Sequence, residues 1–489
     1  VAFTKTPTQD TYDTKRFPLV GQALQRNGTD ALKDQRLLNC YVEQIKAQVS
    51  DAKKFYVKKR QGLTQKAVAV LPSRGIVYEP TTGKHFVVWG NELYSWNGTT
   101  LSIISTAIPG SWDTAVGFTV HLSTTVQVIM LTGVFGFVID PVSNVLTQIT
   151  DPDFPTPHLP YPQSMDGYVF VAKANTADIY NSDLDDPFSW TPGNFITAEM
   201  YPDYITALTK NNNYIIAVGQ GSMEFFFDAG TATGSPLARN ESAVQQFGTP
   251  APDSVVQTEK EVILVGDTGN GGYTVWMVEG FKAEEVGTEA VRLVLNAVPA
   301  SSISTVNAMC IRVGGHKFYI LNIPSADRTF VLDCDSKLWS EWSTTVGETQ
   351  TVFMGRFGAD SNSGYPLLQS KDGGLLMEMN ETAYQDINAN IKMQFPTLRL
   401  DFDSLKRKGC SKIAVAGDWP LDTTSTMYLE WSDDDYRTWS PQRALPLSTN
   451  YPWTRRCGRF TRRALRFTHT DAVPVRLEAC EMDLDMGVS

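Results

Sequence analysis

The sequence predicts an all-β protein: a β-propeller of about seven blades followed by a C-terminal β-sandwich-like module. Three observations predict it. A hydrophobic hairpin recurs at intervals of roughly 40 to 57 residues through the middle of the chain. Helical periodicity is nearly absent. Beyond residue 390 strand-like runs follow one another without that repeat.

The hairpins read FVVWGNELYSW from Phe86, VIMLTGVFGFVID from Val128, VFVAKANTADIY from Val169 and IIAVGQGSMEFFFD from Ile215. They continue with ILVGDTGNGGYTVWMV from Ile263, FYILNIPSADRTFVLD from Phe318 and PLLQSKDGGLLMEM from Pro366. Each is a short apolar run, a turn of small polar residues, and a second apolar or aromatic run. One four-stranded blade cannot bury both of its faces alone, so such repeats must stack around an axis. Asn97-Gly98, Asp166-Gly167 and Asp372-Gly373 are turn signals, because these residues tolerate positive φ. The proline-rich stretch 151–163 cannot be a central strand and predicts an ordered connection between blades, or a rim loop reaching a partner.

Three domains are expected: an extended docking arm over 1–63, the propeller over 64–390, and the β-sandwich or jelly-roll-like module over 391–489. Within the arm, ALKDQRLLNCYVEQI (31–45) is the best helix candidate of the chain, although Val and Tyr make NCYVEQI equally readable as a strand. The chain opens on Val1, so an initiator methionine is expected to have been removed or to lie outside the numbering.

Composition narrows the function. Charged residues make up 19% of the 489, below the usual ~25%, and apolar residues 42%, so a real core is available. A net charge of −11 argues against a broad basic face coating nucleic acid. The charge is uneven: residues 1–60 hold 12 Lys/Arg against 6 Asp/Glu, which leaves −17 for the remainder. Such an arm is either solvated or docks on an acidic neighbour, such as another copy of the chain. The six cysteines have long spacings and no CxxC pair, so reduced, buried thiols are expected. No stretch approaches the ~20 apolar residues of a membrane span, and no secretory signal opens the chain.

Motifs for chemistry do not accumulate. His85, His121, His158, His316 and His469 lack metal-binding spacing, so no metal or cofactor is expected. Asp183, Asp185 and Asp186 read as a solvated turn rather than a calcium loop. Gly219 to Gly221 fails the dinucleotide fingerprint, and neither a P-loop nor a GxSxG elbow is present. One segment, Ser432-Asp433-Asp434-Asp435-Tyr436-Arg437-Thr438-Trp439, resembles the Asp-box of sialidases and other sugar-handling propellers, a structural turn in those families. It occurs once, outside the repeats, with Tyr436 in place of the glycine. A carbohydrate-binding or glycosidase propeller is therefore the alternative reading. It is weakened because Trp89, Trp96, Trp190, Trp276, Trp339 and Trp342 keep no common register.

Two basic stretches remain as candidate subunit contacts: Lys53, Lys54, Lys58, Lys59 and Arg60, and Arg455, Arg456, Arg459, Arg462, Arg463 and Arg466. The second could equally be a charged edge that blocks strand pairing, or a phosphate contact.

Three regions of the chain resemble the tail hub, or nozzle, proteins of short-tailed bacteriophages, also called packaged-DNA stabilisation proteins. RLLNCYVE (36–43) followed by RQGLT (60–64) resembles the family's opening, with Gln61 in place of proline. GQGSMEFFFDAG (219–230) with FGTPAPDSV downstream resembles its central segment. LEWSDDDYRTWSPQRALPL and the Arg-rich CGRFTRRALRFTHTDAVPVRLEACEMDLD resemble its C-terminal module. The resemblance implies a structural, non-enzymatic virion protein assembled in the host cytoplasm. Six copies would form a ring below the portal and head-to-tail adaptor, with docking surfaces for tail fibres, spikes and a plug or needle. DNA would pass along the channel without sequence-specific binding. An acidic chain suits that role, since a lumen lined with Lys and Arg would hold phosphate through counterion release.

Overall fold

Each of the seven recurring hairpins is the central strand pair of its own antiparallel sheet. These pairs are Lys84–Trp89 with Glu92–Trp96, Val126–Leu131 with Gly136–Asp140, Tyr168–Ala172 with Asp178–Asp183, and Tyr214–Gly219 with Met223–Asp228. They continue with Glu261–Asp267 and Tyr273–Glu279, His316–Ile323 and Arg328–Asp333, and Leu367–Ser370 and Gly374–Asn380. The structure is a computed structural model describing residues 13–20, 36–46, 53–112, 114–231, 233–267, 272–346, 349–421 and 424–486. The chain divides into two units, one of Leu63–Lys337 with Thr349–Glu381, the other of Val1–Gly62, Leu338–Glu348 and Thr382–Ser489.

The first unit contains the seven sheets. Side chains alternate between the two faces of each central strand, so one strand feeds two interfaces. Phe86 and Val88 of the first sheet pack on Val128, Met130 and Ile139 of the second. Their neighbours Val87 and Trp89 pack on Leu367 and Leu376 of the seventh. Ile129 and Leu131 of the second sheet likewise meet Val169 and Val171 of the third, whose Phe170 and Ala172 meet Ile215 and Ala217 of the fourth. Ile216 and Val218 then face Val262 and Leu264 of the fifth. Both faces of each middle strand are thus buried, which explains why these runs are continuously apolar rather than alternating.

The seventh sheet takes Gly355–Ala359, Leu367–Ser370 and Gly374–Asn380 from the end of the unit, and Gly62–Ala69 from its beginning. A strand from one end of the unit closes a sheet made by the other. This closure and the packing of the seventh sheet on the first make the unit a β-propeller. The turns follow the sequence expectation: Gly98, Gly167 and Gly373 have φ of 92°, 83° and 75°. The stretch 151–163 is the ordered connection between the second and third sheets, anchored by buried Phe154 and His158. At Gly117 a Cβ would lie 1.7 Å from the carbonyl oxygen of Pro160 in this connection, so only glycine fits. Among the described residues there is one α-helix, Glu289–Ala297, in keeping with the expected near-absence of helix; it buries Val291 and Leu295 and packs against Tyr273–Glu279 of the fifth sheet.

The second unit is a β-sandwich. One sheet orders Cys40–Lys46, Lys53–Lys59, Arg476–Met486, Lys408–Asp418 and Trp453–Arg455, with Asp13–Pro18 also paired to Arg476–Met486 and Arg459–Phe460 to Lys408–Asp418. The other orders Met393–Pro396, Ala464–His469, Thr426–Ser432 and Arg443–Pro446. Val57, Ile413, Val415, Leu477 and Met482 from the first face Phe395, Met427, Leu429, Leu465 and Phe467 from the second. Residues 1–63 are expected to be a separate docking arm; their described part corrects that, because its strands are members of this sandwich. Of the two readings left open for 31–45, the described part takes the strand one, as Cys40–Lys46; residues 31–35 lie outside the described residues.

Candidate assembly surfaces

Eleven basic residues are candidate contacts, and the structure separates them. Lys59, Arg60 and Arg463 are buried. Arg60 is fully enclosed: it holds both oxygens of Asp386 at 2.9 and 2.6 Å and donates to Asn39 Oδ1 and to the carbonyls of Gln61 and Ser343. Its guanidinium lies 5.8 Å from the Trp342 ring. Every donor direction of this planar group is used within one unit. Arg60 therefore ties together segments near residues 39, 343 and 386 and presents no charge to a partner.

Lys59 Nζ donates to the carbonyl of Asp471 at 2.6 Å and lies 3.3 Å from His469 Nδ1. Ser425 Oγ is 2.8 Å from both His469 Nε2 and Asp471 Oδ2. If the serine donates to the carboxylate, it accepts from His469 Nε2, which leaves Nδ1 free to accept from lysine. Burial, and then the neighbouring Arg60 charge, lower the Lys59 pKa to about 7. Burial, and then Lys59, lower that of His469 to about 3, so the imidazole is neutral. In that arrangement the serine hydroxyl donates to the aspartate and the histidine does not serve as its base. No signal in the sequence marks this cluster, because its members are dispersed along the chain.

In the Arg-rich stretch, Arg463 grips Asp433 at 2.7 and 2.8 Å, donates to the Cys457 carbonyl at 2.6 Å, and lies over the Phe460 and Trp431 rings. Arg466 is bidentate to Glu430 and stacks 4.1 Å from the Trp439 ring. Arg462 is half-exposed and pairs with Asp435 at 3.0 Å. Arg455, Arg456 and Arg459 are exposed. Lys58 is partly exposed, 5.8 Å from the Tyr41 ring. Lys53 and Lys54 lie in the strand Lys53–Lys59, and their side chains fall outside the described residues.

The Asp-box-like segment is a structural turn. Asp434 accepts from Ser432 Oγ, Thr438 N and Thr438 Oγ1, and these bonds lower its pKa to about 2. Tyr436, at the glycine position, has φ of 68° and donates its hydroxyl to the Thr397 carbonyl at 2.9 Å. That anchor offsets the strain of a left-handed tyrosine.

In the propeller, a polar cleft is lined by Thr258, Glu259, Cys310, Arg312, Lys317 and Asp360. Its cations are occupied: Arg312 pairs with Glu259, and Lys317 with Glu261 at 2.9 Å. No group of His, Cys, Asp and Glu among the described residues could hold a metal ion. The six cysteines carry no disulfide, and five of them are buried. The two units differ in charge: the sandwich unit holds 27 Lys/Arg and 22 Asp/Glu, net +5, and the propeller unit 15 and 31, net −16.

Comparison with solved structures gives low-identity likenesses. The streptogramin B lyase structure has a TM-score of 0.45 at 10% identity, covering 66% of this chain and 98% of that one. Hydrazine synthase from Kuenenia stuttgartiensis has a TM-score of 0.41 at 10% identity, covering 64% and 96%. Scores below 0.5 add nothing to the assignment. None of the curated proteins matches the chain. A scan against family profiles matches residues 27–358 to the Phage_stabilise family, described as "Bacteriophage P22 Gp10, beta-propeller". The match spans most of the chain and takes in nearly all of the propeller unit, so the chain belongs to this phage-stabilisation family and is a structural component of a phage tail that stabilises packaged DNA.

Proposed function

We propose that the protein forms the hub, or nozzle, of a short-tailed phage: a ring of six copies continuing the DNA channel below the portal and adaptor. The ring retains the packaged DNA and offers docking surfaces for tail fibres or spikes and for a plug or needle. Each subunit contributes a propeller in which the seven sheets act as seven blades. The subunit works by shape and charge, without a catalytic step, and is assembled in the host cytoplasm. The observation that carries this reading is the family match over residues 27–358, which takes in six of the seven repeats. The net charge of −16 on the propeller unit supports it physically. Acidic surface repels the phosphate backbone and lets DNA slide, whereas a basic lumen would retain it by counterion release.

Mass photometry of tails released from disrupted virions, together with native mass spectrometry of the hub, tests the ring. Six times the 54.2 kDa chain is the expected mass of the ring; a single copy per tail would overturn the reading.

A further inference from the structure

We infer that the aromatic and cationic edge of the sandwich unit, Trp453 with Arg455, Arg456, Arg459 and Lys412, docks on the acidic propeller unit of a second copy of this chain. The inference rests on the ring reading and specifies its contact.

Four observations carry it. Trp453–Arg455 and Arg459–Phe460 pair on one side with Lys408–Asp418 and end the sheet, so this is an edge with an open outer side. Trp453 is 48% exposed and Tyr451, two residues before it, is 67% exposed. A large aromatic flanked by arginine is the composition of an interface anchor. Arg455 lies 4.6 Å from the Trp453 ring and Lys412 6.0 Å from it, so two cations share one exposed ring.

Lys412 and Arg455 are also cross-strand partners. Like charges placed directly opposite destabilise an isolated sheet. Arg455, Arg456 and Arg459 have no ion pair among the described residues, whereas Arg462, Arg463 and Arg466 do. The edge thus concentrates unneutralised positive charge around a wet aromatic ring.

The occupant follows from the charge of the chain itself. The propeller unit at −16 is the complementary surface, and every copy carries both it and the +5 sandwich. Joining unlike surfaces is a heterologous contact, which repeats from copy to copy and closes into a ring when the rotation permits. Joining two such edges to one another would set arginine against arginine. Complementary charge of this kind fixes register and raises the association rate.

The test uses the full chain. Arg455→Glu/Arg456→Glu/Arg459→Glu should weaken self-association about tenfold or more, the scale of three exposed charge pairs. Its thermal melting should match that of the wild type. p-Benzoylphenylalanine at position 453, in a mixture of isotopically light and heavy chains, should photo-crosslink light to heavy chains, within residues 63–337 or 349–381. If the wild type assembles into rings and the triple variant assembles equally well, this contact is wrong while the ring stands. Crosslinks confined to the same chain, to another tail protein or to DNA would also overturn it. Failure of the wild type to form rings under any condition would instead overturn the ring reading.

Discussion

Arg60 and Arg455 have the same side chain and opposite fates, which shows how far charge in a sequence can be read. Both belong to basic runs, yet Arg60 is enclosed with Asp386 and Arg455 lies over an exposed tryptophan. The sequence marks the charge but not its carboxylate partner, which lies more than 300 residues away for Arg60. Arg60→Met strands a buried carboxylate, and denaturant melts should show a loss of about 3–5 kcal/mol. Adding Asp386→Leu should recover much of it; no recovery would mean that the carbonyl bonds of Arg60, not the ion pair, carry its effect. Reversal of Arg459, Arg462 and Arg463 together, an obvious test of the basic stretch from sequence, is confounded by the burial of Arg463. Lys59 predicts a pH dependence. The unfolded lysine titrates near 10.5 and the folded one near 7, so the unfolded state binds more protons between those values. Lys59 therefore makes stability rise with pH across that window, and its full destabilising effect is reached below about pH 7. His469, lowered from 6.5 to about 3, adds the same sign between pH 3 and 6.5. Urea melts of Lys59→Met should lose the upper slope; an unchanged slope between pH 7 and 10 would refute a neutral buried lysine.

Among the elements, the hairpins were legible and their company was not. All seven appear where the apolar runs stand, because burial on both faces requires continuous hydrophobic strands. The strands over 40–59 are less legible: they join their sheet through Arg476–Met486, and pairing at that separation leaves no local pattern. The helix Glu289–Ala297 is hard to read because it is only nine residues long and its Val- and Leu-rich run reads equally as a strand. Turns repeat as faithfully as strands. Asp140 accepts from the backbone of Val142 and from Ser143, and Asp333 from the backbone of Asp335 and from Ser336. Each Asp ends the third strand of its sheet, and the residue four positions on has positive φ, Asn144 at 59° and Lys337 at 57°. Asp333 also meets His316 Nδ1 at 3.0 Å. Asp333→Ala should cost about 1–3 kcal/mol, since it leaves buried donors unmatched. The gap left by Gly117 is tighter still. Gly117→Val would drive a side chain into the Pro160 carbonyl, and it should lower the melting temperature of the propeller far more than Gly221→Ala, which meets open space without a positive φ. Equal melting temperatures would mean that the connection over 151–163 moves aside easily.

At the scale of the whole molecule, an acidic propeller and a basic sandwich stand in one chain, and on the proposed ring reading each copy complements the next. This polarity accounts for a net charge of −11 coexisting with exposed, unpaired arginines. It also predicts that self-association of the purified protein weakens as salt rises, because exposed charges are screened over about 8 Å at physiological ionic strength. Sedimentation velocity at increasing salt should show the assembly dissociating; assembly that strengthens with salt would point to an apolar interface instead. Cryo-electron microscopy of the intact virion tail tests the central claim most directly. The account predicts six copies in a closed ring around the DNA axis, with the edge bearing Trp453 and Arg455 seated on the propeller of the neighbouring copy. A single copy on the axis, or copies placed singly out along the fibres, would contradict it.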